Sequence, residues 1–146
     1  MKRYWYKFRV KYGKALDIGK NKKVSEEYLV DAESFTETEK RATKAATELI
    51  GTRDFDITAI SREPITEILK EDENEGNHWY KTVVSLVTED EDTGIKKFSP
   101  QTIYVNAPST KEADRILRQH MSSSVTEWEI KSIAETKVLG VLGYKQ

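Results

Sequence analysis

A chain of 146 residues in which Leu, Ile, Val and Phe number 33 carries enough apolar side chain to fold, as one core or two small fused ones, and is too short for a large multidomain assembly. The 24 Lys and Arg nearly cancel the 25 Asp and Glu, and with no Cys there is no disulfide framework, thiolate metal site or cysteine nucleophile. No stretch reaches the length of a signal-peptide apolar core or a bilayer span, so the expected setting is soluble and cytoplasmic, with no membrane partner.

Charge is balanced in sum but not in place. Residues 2–23 hold nine cations (Lys2, Arg3, Lys7, Arg9, Lys11, Lys14, Lys20, Lys22, Lys23) against Asp17 alone; nine minus one is +8, which leaves −9 for the remainder. Two acidic runs, one around Glu71, Asp72, Glu73 and Glu75 and one at Glu89, Asp90, Glu91 and Asp92, have nothing apolar to bury. The first reads as a linker and the second as a hairpin tip.

The chain repeats itself. Trp5-Tyr6-Lys7 returns as Trp79-Tyr80-Lys81, and Lys22-Lys23-Val24-Ser25 returns as Lys96-Lys97-Phe98-Ser99, both at an offset of 74. Val30-Asp31-Ala32 and Ser34-Phe35-Thr36-Glu37 match Val105-Asn106-Ala107 and Ser109-Thr110-Lys111-Glu112 at an offset of 75. Phe55-Asp56-Ile57-Thr58-Ala59-Ile60 matches Trp128-Glu129-Ile130-Lys131-Ser132-Ile133 at an offset of 73, and Ile68-Leu69 matches Val141-Leu142. Blocks conserved in order point to an internal duplication.

Each unit opens with a strand. Residues 4–12 alternate, placing Tyr4, Tyr6, Phe8, Val10 and Tyr12 toward a core and Arg3, Trp5, Lys7, Arg9 and Lys11 on the other face. A turn at Lys20-Asn21-Lys22 leads into a second strand near 24–32 with Tyr28, Val30 and Ala32 inward. The second unit repeats the hairpin, with Asp92-Thr93-Gly94 supplying the turn.

A helix follows. Ser34 with Glu37, and Ser109 with Glu112, form two S-x-x-E capping boxes. The expected core stripes are Phe35, Ala42, Ala45, Ala46 and Leu49, ending at Gly51, and Ala113, Ile116, Leu117, His120 and Met121. The closing strands, near 54–62 and 126–134, share a Phe/Trp-x-Ile-x-x-Ile step that predicts a bulge, and residues 65–69 and 138–142 are each expected as a short terminal turn or helix. The fold class is therefore α+β: two tandem ββαβ units, 1–69 and 79–146, joined by an acidic linker at 70–78. Each antiparallel sheet is covered by one helix, and the units are expected to pack about a pseudo-two-fold axis.

Enzymatic signatures are lacking. No Gly-rich phosphate loop, H-E-x-x-H helix or G-x-S-x-G elbow occurs, and neither a catalytic residue nor a cofactor is expected. His120 stands where Ala45 stands in the first unit and reads as a structural histidine, while His78 reads as a solvated linker residue. The run from Glu89 to Asp92 lacks calcium-loop spacing, so no metal site is expected.

The outward face of the first strand has chemical content. Arg3, Trp5, Lys7, Arg9 and Lys11 would span about 27 Å at about 3.4 Å per residue. Cations for phosphates and a flat ring for unstacked bases are what single-stranded nucleic acid binding needs. Trp79 with Lys81 supplies a weaker copy, and Lys22, Lys23, Lys96 and Lys97 extend the surface. The same stripe also matches the solvated, lysine-bearing face with which edge strands discourage aggregation.

The motifs from Trp5 to Tyr12, Lys22 to Glu39 and Phe55 to Ile60 together resemble a family of uncharacterised small proteins of Bacteroidetes and their phages, with Tyr28-Leu29-Val30-Asp31-Ala32-Glu33-Ser34-Phe35-Thr36-Glu37 as the most specific stretch. The resemblance implies a phage or mobile-element setting and no catalytic residues. In layout, the duplicated sheet and helix are remotely similar to Whirly and positive-cofactor-four type single-stranded DNA binders. The leading expectation is an accessory protein that binds single-stranded DNA without sequence preference in replication, recombination or transcription, with replication or host proteins and a second copy as further partners. The alternative is a non-enzymatic protein-interaction module, an adaptor or inhibitor of a host factor.

Overall fold

The computed structural model describes residues 3–15, 21–51, 54–70 and 77–143. The fold is α+β, and the element order β-β-α-β-β occurs twice. The first set comprises β1 (Tyr4–Ala15), β2 (Asn21–Ala32), α1 (Phe35–Ile50), β3 (Phe55–Glu63) and β4 (Glu67–Leu69). The second comprises β5 (His78–Glu89), β6 (Lys96–Ala107), α2 (Thr110–Met121), β7 (Glu127–Glu135) and β8 (Val138–Leu142). The expected turns or helices at 65–69 and 138–142 are in fact the strands β4 and β8.

Those short strands carry the main topological finding. The sheets run β3-β1-β2-β8 and β4-β6-β5-β7, so the last strand of each repeat lies in the sheet built by the other repeat. β8 runs parallel to β2 over 27–30, and β4 runs parallel to β6 over 103–105. One compact unit accordingly comprises residues 1–64 with 137–146, and the other comprises 65–136. His78, expected in the linker, is the first residue of β5, and residues 71–76 of the expected linker lie outside the described residues. The turn expected at Lys20-Asn21-Lys22 begins outside them too, with Asn21 and Lys22 already in β2.

Alternation along the strands builds each core. In the first unit Tyr6, Phe8, Val10, Tyr28, Val30 and Ala32 pack beneath Ala42 and Ala46 of α1, with Tyr4, Phe55, Ile57, Ile60 and Leu142 around them. In the second, Tyr80, Val84, Ile103, Val105 and Ala107 meet Ala113, Ile116, Leu117 and Met121 of α2. Fully burying an aliphatic or aromatic side chain contributes about 1.5–3 kcal/mol, and the opposite faces contribute as well, since Leu29, Trp79 and Tyr104 there are also buried. The helix stripes need one correction. Phe35 and Leu49 are more than half exposed, and the third buried position of α1 is Thr38, whose hydroxyl donates to the Ser34 carbonyl at 2.8 Å. A threonine that satisfies its own hydroxyl within the helix presents a methyl group to the core.

Both predicted caps form. Ser34 Oγ accepts from the Glu37 amide at 3.1 Å and Ser109 Oγ from the Glu112 amide at 3.2 Å. Each such cap is worth about 1 kcal/mol. The predicted bulges are present as well: the ladder steps from Arg9–Ala59 to Val10–Ile57, leaving out Thr58, and from Val83–Ser132 to Val84–Ile130, leaving out the equivalent Lys131. At the far end of the second hairpin Gly94 takes φ +70°, which the turn requires. The outer edge of β6 carries Pro100; the Thr66 amide donates to Thr102 O, which shows that alternate residues here direct their backbone away from β5. Pro100 thus removes a donor from the open edge without weakening the β5–β6 ladder.

Candidate nucleic-acid interface

Register decides what the basic stripe of β1 meets. Trp5 lies across from Asp31 on β2 and Glu63 on β3, Arg9 across from Glu27, and Lys11 across from Ser25 and Asp56. Cross-strand neighbours share a face, so the outward cations are interleaved with carboxylates from both flanking strands. Lys7 reaches Glu63 at 3.5 Å and Arg9 reaches Glu27 at 3.2 Å.

Arg3 is held more firmly. Its guanidinium contacts the Asp31 carboxylate at 3.3 Å, the Asp31 carbonyl at 2.9 Å and Glu37 at 2.9 Å, with Glu33 at 3.8 Å. Burial pulls the Arg3 pKa down, but the hydrogen bonds and charges of Glu37 and Asp31 outweigh it and raise the value. Arg41 closes the cluster from α1, donating to the Asp31 carbonyl, the Asp31 carboxylate and Gly143 O. Arg3 is therefore a structural cation at the start of α1, and a phosphate would have to displace three carboxylates to reach it.

The aromatic partners differ from expectation as well. Trp79 is 4% exposed, so its indole has no open face on which a base could stack, and its carbonyl accepts from the Thr136 amide and hydroxyl. Trp5 is partly buried, and its neighbour on the outward face, Leu29, is completely so. Lys81 is exposed, across from the buried Tyr104.

Beyond the reach of α1 the first hairpin changes character. None of residues 22–27 of β2 is buried, and Lys11, Lys22 and Lys23 are exposed. Glu26, the carboxylate nearest along the strand, accepts a hydrogen bond from Tyr28 Oη at 3.2 Å. Burial first, then the Glu26 charge and hydrogen bond, push the Tyr28 and Tyr12 phenols up, so both remain protonated donors. The second hairpin offers a poorer site. Lys96 lies across from Glu89, Lys97 across from Thr88, and the acidic tip follows directly. That tip is a turn: Asp90 Oδ1 accepts from the Asp92 amide at 2.8 Å and the Thr93 amide at 3.1 Å, bonds that hold its pKa below the ordinary value.

Both histidines pair with carboxylates, and His120 borders a hollow of about 370 Å³ with Leu69, Lys70, Ile116, Gln119 and Ser123. His78 Nδ1 lies 3.1 Å from Glu135 Oε1, and His120 Nε2 lies 2.8 Å from Glu67 Oε2, a link between α2 and β4 that the spacing of the residues gave no hint of. Among the described residues no group of three or more His, Asp or Glu could hold a metal ion, and no helix is long and apolar enough to cross a membrane.

The neutralising carboxylates had a signal in the sequence. Once Tyr28, Val30 and Ala32 are inward, Glu27, Leu29 and Asp31 are outward and must lie beside the β1 cations. No curated protein and no solved structure matches the chain. The model of the family described as Domain of unknown function (DUF4494) matches residues 4–144, nearly all of the sequence, and the chain belongs to that family.

Proposed function

We propose that this protein is a non-enzymatic nucleic-acid-binding accessory protein that holds a phosphate backbone on the outer half of its first hairpin. One observation carries the reading: Arg3, Lys7 and Arg9 are matched by carboxylates near the core, whereas Lys11, Lys22 and Lys23 are exposed and form no ion pair among the described residues. Over residues 9–27 the sequence has Arg9, Lys11, Lys14, Lys20, Lys22 and Lys23 against Asp17, Glu26 and Glu27; six minus three is +3. A two-stranded basic ribbon of this kind contacts phosphates without reading bases. Single-stranded DNA is the favoured substrate and Trp5 the stacking residue, in the replication, recombination or transcription of a Bacteroidetes phage or mobile element. Trp79 and Arg3 have no part in this interface.

The test is fluorescence anisotropy of a labelled, unstructured oligonucleotide across a salt series. Three phosphate contacts give a slope near about −2 in log affinity against log salt for a single strand. The combined change Lys11→Glu, Lys22→Glu and Lys23→Glu abolishes binding at low salt, while Trp5→Ala tests stacking. A duplex competitor of equal length separates stacking from simple backbone attraction. No binding at low salt, or equal binding by the triple variant, overturns the reading.

A second reading, a protein-interaction module, draws on Ile95 and Phe98, which are 64% and 59% exposed beside the acidic tip of the second hairpin.

A further inference from the structure

A groove of about 630 Å³ runs between α1 and β3. Its floor is Phe55 and Ile57, which are only partly buried, and its wall is Thr43 and Thr47. Both threonine hydroxyls are spent on the helix, donating at 2.8 Å to the carbonyls of Glu39 and Thr43, so the groove is left with their methyl groups. Glu39, Glu48 and Asp56 also line it, with Lys44 as the one cation among its described lining residues. Glu39 also borders a second hollow, of about 460 Å³, with Thr36, Lys40 and Thr43, and no ion pair to it is present among the described residues.

The duplication shows what belongs beside that carboxylate. With the helices aligned at an offset of 75, Glu39 corresponds to Asp114 and Thr43 to Arg118. In the second unit Arg118 Nε donates to both Asp114 oxygens, at 3.1 and 3.0 Å. The first unit keeps the acid and an apolar floor, since Phe55 and Ile57 correspond to Trp128 and Ile130, but replaces the guanidinium with a threonine. A carboxylate beside exposed apolar surface, lacking the cation its own copy supplies, is complementary to a cation delivered from outside on an apolar backbone segment.

We propose that the α1–β3 groove docks an extended peptide of a protein partner, with an aliphatic side chain on Phe55 and Ile57 and an arginine on Glu39. Arginine is favoured over lysine because its planar fork can meet both Glu39 oxygens with two N–H groups, where Arg118 reaches both Asp114 oxygens through Nε alone. A polynucleotide is disfavoured, because Glu39, Glu48 and Asp56 outnumber Lys44 in the lining and would repel its phosphates. None of Lys11, Lys22 and Lys23 lines the groove, although Asp56, which does, lies across from Lys11; the variants at Glu39 and Thr43 leave those lysines in place.

The probe is a fluorescein-labelled peptide, Leu-Arg-Ile-Arg-Leu with blocked ends, titrated into the full chain and followed by anisotropy. Binding to the wild type is expected in the micromolar to millimolar range, weakened about tenfold by Glu39→Gln, the effect of one charge-assisted contact. Thr43→Arg supplies the guanidinium internally and removes binding, whereas Asp114→Asn leaves it unchanged. Circular dichroism of each variant establishes that it is folded. No binding by about 1 mM peptide, or equal binding by wild type, Glu39→Gln and Thr43→Arg, overturns the proposal. Concentration-dependent dimerisation of the wild type that Thr43→Arg abolishes, without peptide binding, also overturns it, because a second copy would then be the occupant.

Discussion

Asn77 donates to Asn106 at 3.0 Å in the second repeat, in the place where Arg3 meets Asp31 in the first. The two pairs bracket the same structural point, the junction between the end of the hairpin and the helix that follows. In the first repeat the junction is ionic, and Arg3, Arg41, Asp31 and Glu37 form one network. In the second it is made of two amides, with Asn106 donating onward to His78 O at 3.4 Å. The duplication has kept the geometry and exchanged the chemistry.

Removing one member of the ionic version leaves charges without partners in a partly covered place. Asp31→Asn is expected to cost about 1–2 kcal/mol in chemical denaturation, a range discounted for the partial exposure of the cluster. The double change Arg3→Asn with Asp31→Asn, which copies the second repeat, costs less than the two single changes added together. Strict additivity would show that the network is not coupled.

Acid acts on the same cluster through Glu37. Burial pushes its carboxyl up, but hydrogen bonds from Arg3 and the Glu33 amide, with the charges of Arg3 and Arg41, hold it below its ordinary value of 4.5. A carboxyl depressed in the folded state contributes stability that is complete above its unfolded value and disappears as pH falls through its folded one. As pH falls through and below the ordinary value of 4.5, the wild type should therefore lose stability more steeply than Glu37→Gln, whose amide does not titrate. Parallel curves for the two proteins would contradict the assignment.

The exchanged strands predict which half of the molecule responds to a change near the end of the chain. Leu142 belongs to the second repeat but packs on the core of β1, β2 and α1. Leu142→Ala, at a partly buried site, should cost about 1–2 kcal/mol. Amide hydrogen exchange should then speed up over 27–32 and remain unchanged over 103–107. Loss of protection over 103–107 instead would place β8 in the other sheet.

Most of the fold was legible because its determinants are local. Alternation from Tyr4 to Tyr12, the Ser34 and Ser109 caps and the Phe/Trp-x-Ile-x-x-Ile step each act within a few residues and formed as expected, although the Glu37 carboxylate meets the Glu33 amide and Glu112 meets Arg115. What was not legible depended on pairing across distance. Residues 67–69 and 138–142 are too short to declare a strand by period, and only the sheet edges they meet make them one. Trp5 and Trp79 look equivalent in sequence, yet one is partly open and the other enclosed. The stripe of β1 read as basic because its neutralising partners, Glu27, Asp31 and Glu63, are about 20 to 60 residues away along the chain.

β4 and β8 carry a consequence for ancestry. A half-length precursor ending in its own short strand would leave an open edge beside β2 and a terminal segment with nowhere to dock, and both defects vanish when two identical molecules trade tails. Joining the genes end to end would turn that reciprocal trade into an intramolecular one and free the halves to diverge, as the ionic and amide junctions have done.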